Sequence, residues 1–111
     1  MINRAVIMGR LTAQPEVKKT QSGKSVCNIT VACQRNKEEV DFIPVVFWNQ
    51  PAEYLSAYAN KGDTIGVEGR ISVRKYTDAN GNNRTVTEIV ADNVQLGGGK
   101  RGEFNTEDLP Y

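Results

Sequence analysis

Histidine is absent from the 111 residues. The common Ser–His and Cys–His nucleophile–base pairs are therefore unavailable, and no imidazole can ligate a metal. Cysteine is scarce: Cys27 and Cys33 stand alone, with no CxxC spacing and no tight carboxylate cluster in the chain. No apolar run approaches the ~18 residues of a membrane span and no signal-peptide pattern appears, so neither membrane insertion nor secretion is supported. Gly66 and Gly69 make no phosphate loop, because no GK[ST] follows and their context is a strand; "GGGK" has no helix after it. These absences argue against an enzyme and assign no catalytic residue, no cofactor and no metal.

The two cysteines lie in "SVCNITVACQ", which alternates like a strand. At ~3.3 Å per residue they stand ~20 Å apart, far beyond the ~7 Å reach of a disulfide. Cys27, Ile29, Val31 and Cys33 share one side of that run, so both thiols read as reduced and core-facing, which suits a cytoplasmic protein.

Charge is present but unevenly spread. All 14 Lys and Arg fall within residues 1–102 beside 10 acids, whereas residues 103–111 carry Glu103, Glu107 and Asp108 and no base. A basic body with an acidic end marks either an anionic partner or a tail that competes with one. The plain alternative is a solvated surface with a solubilising tail.

The length predicts one domain with a modest core. "NRAVIMGRLT" reads as a strand, "PEVKKTQSGKS" turns at Ser22-Gly23, and "SVCNITVACQ" is the second strand. "RNKEE" is a hairpin loop before "VDFIPVVFW", a strand apolar on both faces. In "NQPAEYLSAYANKG" the period changes to a helix capped at Asn49 or Gln50 and stopped at Gly62, with Leu55, Tyr58 and Ala59 on one face. "DTIGVEGRISVRKYT" is a long strand with bends or bulges at Gly66 and Gly69; "DANGNN" turns it into the last strand, "RTVTEIVADNVQL". From Gly97 the pattern dissolves, and 97–111 is expected to be disordered. Three strands, a helix and two strands fit an all-β fold with one helix, the five-stranded oligonucleotide-binding (OB) barrel. Periodicity alone also allows a split α+β sheet.

"DFIPVVFWN" carries the most chemistry. Phe42, Pro44, Val46 and Trp48 point one way, Ile43, Val45 and Phe47 the other. If the second set fills the core, Phe42 and Trp48 stand outside, as a subunit interface or as a stacking platform for unpaired bases. In "SVRKYTDANG", Arg74 and Tyr76 share a face at a hairpin tip and Lys75 lies between them on the other. Rings for bases beside cations for phosphate are what single-strand binding needs. Arg4, Arg10, Lys24, Arg35 and Arg84 are further groove candidates, each weak alone.

The segments "MINRAVIMGRLTAQPEVKKTQSGKSVCNITVAC", "DFIPVVFWNQPAEYLSAYANKGDTIGVEGRI", "RKYTDANGNNRTVTEIVADNVQ" and the ending "EDLPY" closely resemble bacterial and phage single-stranded DNA-binding proteins. The resemblance covers residues 1–96 and the last five. It implies an OB-fold domain over 1–96 and a short linker with an acidic tip over 97–111. It implies base stacking on Phe42, Trp48 and Tyr76, and strand contacts from Arg4, Arg10, Arg74 and Lys75. The family commonly has another stacking aromatic before the third strand; here that loop, "QRNKEEV", holds none, so a platform is missing or replaced by the guanidinium of Arg35. A smaller footprint or weaker binding per subunit follows.

The resemblance further implies a homotetramer, and a tip in which Glu107, Asp108, Leu109, Pro110 and Tyr111 engage replication, recombination and repair proteins. Acids and the terminal carboxylate suit a basic pocket, and the apolar residues an adjoining slot. Tyr111 stands where the family usually has phenylalanine, so a partner built for phenylalanine must accommodate a hydroxyl. The expected partner is single-stranded DNA, with no membrane involved, in a bacterial cytoplasm at the nucleoid or a host cytoplasm if phage-encoded. Two rival readings remain: an OB-fold interaction module without DNA binding, and a general single-stranded RNA or DNA binder.

Overall fold

The computed structural model describes residues 1–97. The expectations for 98–111, including the tip at 107–111, lie outside the described residues. In chain order the elements are β1 Ala5–Leu11, β2 Lys18–Lys19, β3 Ser25–Gln34, β4 Val40–Trp48, α1 Asn49–Tyr58, β5 Thr64–Thr77 and β6 Asn83–Leu96. β1 pairs with β5, β5 with β6, β6 with β4, β4 with β3, and β3 returns to β1 through Arg10↔Ala32 and Leu11↔Val31. That last pairing closes the ring and decides for the barrel against the split sheet. Only β4–β6 is parallel. The two-residue β2 is an added rung on β3 outside the ring, so the five expected strands are the ones that close it.

Closure needs close backbone approach. A Cβ on Gly9 would meet the Ala32 carbonyl oxygen at 2.3 Å, so β1 can cross onto β3 only without a side chain there. Gly69 is similarly placed, 2.2 Å from the Val90 oxygen for a built Cβ. At this point Glu68 faces Asn93 and Gly69 faces Ala91, so Asp92 is an extra residue, a bulge in β6. The expectation of a second bend at Gly66 is corrected. Gly66 sits in register opposite both Met8 and Gln95, and a Cβ there would make ordinary contact.

The core takes the inward set of each strand: Leu11, Cys27, Val31, Val45, Phe47, Ile65, Val67 and Ile89. α1 packs Ala52 and Leu55 into the same cluster, and Ala59, just past its end, joins them. Tyr58 does not share this face as expected; it is exposed and rests on Tyr54, ring centroids 5.2 Å apart. At 3.6 residues per turn position 58 lies about 120° round the helix from 52, whereas Ala59 joins the core from extended backbone, φ −105° and ψ 149°. The expected side-chain cap is also absent. Trp48 occupies the cap position without a capping bond, and Asn49 enters at φ 60°, a left-handed conformation that asparagine tolerates better than most residues. Cys27 is buried and Cys33 partly so, both free thiols. No helix among the described residues is long and apolar enough to cross a membrane.

Candidate nucleic-acid interface

With Val45 and Phe47 buried and Ile43 packed on the core, the alternate residues of β4 must face outward. Phe42 is 66% exposed and Trp48 37%. The ladder places Arg10 and Phe42 on either side of Ala32, in one row across β1, β3 and β4. At the usual strand spacing that sets the Arg10 backbone ~10 Å from the ring's strand. A second row runs Asn28–Val46–Val90–Arg70 across β3, β4, β6 and β5.

This second row lines a groove of about 570 Å³ together with Trp48, Ser72, Arg74 and Glu88. Tyr76, 46% exposed, lies two residues beyond Arg74 on the same strand face, with the Arg74 guanidinium carbon 6.0 Å from its ring centroid. Arg84 stands opposite Tyr76 in the β5–β6 ladder. Lys75 shares a shallow depression at the hairpin tip with Tyr76 and Arg84. The tip is braced by Asp78, which accepts from the backbone N–H of Asn80 and Asn82 at 2.9 Å each and from Arg84 Nε at 2.8 Å.

Trp48 and Arg74 therefore share one groove, and Tyr76 and Arg84 continue the same hairpin face. Arg4 and Arg35 do not line the groove. Arg4 follows Asn3, whose side-chain amide bonds both backbone groups of Ile71, and it grips the bulge residue Asp92 at 2.8 Å. Arg35 is clamped by Asp41 at 2.5 Å and Glu39 at 3.4 Å. Arg10, Arg70, Lys24 and Lys75 make no ion pair among the described residues. Sequence reasoning missed Arg70, Ser72 and Glu88. The first two could have been found by carrying the parity of Arg74 and Tyr76 back along β5; Glu88 needed the pairing of β6.

Asp41, Asp78 and Asp92 titrate below the ordinary carboxylate value, chiefly because each accepts a hydrogen bond from an arginine side chain. A depressed folded value means that the stability these pairs supply is intact above the unfolded carboxylate range, about pH 4, and is lost as pH falls through the lower folded values. Urea midpoints should hold from pH 7 to 5 and decline below about pH 4. Asp78→Asn should remove part of that decline, and a midpoint that rises on acidification would contradict the assignment. Among the described residues no group of three His, Cys, Asp or Glu comes close enough to hold a metal ion.

A closed five-strand barrel with a helix between its third and fourth ring strands, bearing rings and cations on one outer face, defines an OB-fold protein. The sequence model of the single-strand binding protein family matches residues 2–97. The chain belongs to that family. It is 38% identical to the "Single-stranded DNA-binding protein 1" of Staphylococcus aureus (strain MSSA476), over 98% of this chain and 74% of the relative. It is 42% identical to a "Single-stranded DNA-binding protein" of Streptococcus pyogenes serotype M3, over 95% of this chain and 72% of the relative. A protein of the same name from Enterococcus faecalis is 44% identical over 86% of this chain, which spans 54% of that relative.

Proposed function

We propose that this protein binds single-stranded DNA with little sequence preference and protects it during replication, recombination and repair, without catalysis of its own. Phe42, Trp48 and Tyr76 offer faces to bases, and Arg10, Arg70, Lys75 and Arg84 offer charge to phosphates. The observation that carries the reading is the outward pair Phe42 and Trp48, two large rings left in solvent by a barrel whose core is already filled. Family membership, and the DNA-binding names of its relatives, support the ligand class. Arg4, Arg35 and Arg84 contribute only by exchanging their aspartate partners for phosphate.

The same reading places the OB domain at 1–96 and a linker with a protein-recruiting tip at 97–111, Glu107 to Tyr111 meeting partner proteins. It also takes the protein as a homotetramer acting in the cytoplasm. Outward Val6 and Met8 on β1, both exposed, support assembly.

Trp48 is the only tryptophan, so its fluorescence reports the site. Titration with a poly(dT) oligomer should quench it strongly, and log K should fall linearly with log[salt] at a slope near −0.7 per phosphate neutralised. Salt-insensitive binding, or duplex competing as well as single strand, would sink the reading. Equal competition by a matched RNA oligomer would shift it to general single-strand binding.

A further inference from the structure

An acid stands in the groove. Glu88 projects from β6 opposite Ser72, its side chain only 10% exposed, among groove residues that include Trp48, Val46 and Val90. Its carboxylate accepts from Arg74 Nε at 2.9 Å. A carboxylate has no attraction for phosphate, so a surface built only to neutralise a DNA backbone has no use for one.

The other arginine pairs differ from this one. The carboxylate side chains of Asp92, Asp41 and Asp78 are 60%, 43% and 21% exposed. Water can solvate those acids when an arginine leaves. Glu88 has little such recourse. If Arg74 swung to a phosphate, Glu88 would be left nearly buried, unpaired and close to a second anion, the arrangement that folded proteins tolerate least. Meanwhile Nε alone is spent on Glu88, and the guanidinium already lies within cation–π range of the Tyr76 ring, at 6.0 Å.

We infer that Glu88 is a positioning residue that keeps Arg74, within a net-neutral ion pair, as a flat stacking element beside Tyr76 and withholds it from phosphate. The floor between Trp48 and Tyr76 then takes bases, while phosphates are met by the cations around it, Arg10, Arg70, Lys75 and Arg84. An arginine plane, fixed by an acid, would supply the platform for which the loop before β4 has no aromatic. The inference rests on the reading of the outer face as a single-strand interface.

The test is the salt slope of poly(dT) binding by the full chain, read by Trp48 fluorescence from 50 to 300 mM NaCl. Wild type, Glu88→Gln, Arg74→Gln and the double variant form a cycle. Glutamine at 88 keeps an acceptor for Nε but frees the charge of Arg74. The slope should steepen by about 0.7 and affinity at 50 mM salt rise roughly fivefold or more. Arg74→Gln leaves the acid alone, so the slope should become shallower and affinity fall. The double variant should return to the wild-type slope while binding more weakly, because the plane is gone. Arg74→Lys keeps the neutral pair and loses the plane: unchanged slope, affinity down several-fold.

A purely structural Glu88 would shift urea midpoints and leave every slope alone, which would overturn the inference. So would an unchanged slope in Glu88→Gln beside a shallower one in Arg74→Gln, since Arg74 would then be an ordinary phosphate contact. Full affinity in Arg74→Lys would remove the stacking role, and this arm needs no change at Glu88 should that variant fail to fold. If wild type did not bind at all, the functional reading itself would fall; if it bound with the wrong slopes, only this inference would.

Discussion

Trp48→Ala combined with Tyr76→Ala is expected to weaken binding of a labelled poly(dT) oligomer by ~2–6 kcal/mol, since each base–ring contact contributes ~1–3 kcal/mol. That is roughly thirtyfold to more than ten-thousandfold in affinity, read by anisotropy because the only tryptophan is gone. Trp48 and Tyr76 are 37% and 46% exposed and neither belongs to the core cluster, so the urea midpoint should stay close to wild type. Trp48 lines the central groove and Tyr76 stands at the hairpin tip. If each holds a different base, the single losses should add to the double loss. The phosphate-facing cations remain, so the salt slope should survive even as affinity collapses. Wild-type affinity in the double variant would instead favour an OB-fold interaction module that acts without DNA.

Much of this face is legible in the sequence because it rests on parity. In β4 the two alternating sets, Phe42 to Trp48 and Ile43 to Phe47, cannot both fill one small core, and the strand's limits coincide with the apolar run. β3 is equally plain, its cysteines lying on the side of Val31. What the sequence hides is whatever depends on a partner strand. β2 is two residues of no periodicity, visible only because Lys18 and Lys19 meet Val26 and Ser25. The bulge at Asp92 appears only when β6 is counted against β5. Arg4 and Asp92 are 88 residues apart, so nothing local announces their bond. The same holds for Arg74 and Glu88 across the hairpin. A list of cations therefore overstates the charge available: four of the seven candidate cations hold carboxylates, and Arg70, absent from that list, holds none among the described residues.

Phe47→Ala should show the opposite profile one residue from Trp48. Phe47 is fully buried in the core that joins the barrel to α1. Truncating a buried phenylalanine costs ~3–5 kcal/mol, through lost burial and the cavity left behind. Against the ~5–15 kcal/mol that holds an ordinary domain together, this should lower the urea midpoint sharply. Intrinsic affinity should change little in the fraction that stays folded, because no outward side chain is altered. Ligand separates the two cases further. Single strand at 100 times its dissociation constant stabilises the folded state by ~2.7 kcal/mol, so poly(dT) should restore much of what Phe47→Ala loses. The same DNA concentration should do little for the Trp48→Ala, Tyr76→Ala chain, which needs no rescue and binds poorly. A Phe47→Ala protein of normal stability that fails to bind would place that ring outside and Trp48 within, and would reverse the parity on which the interface rests.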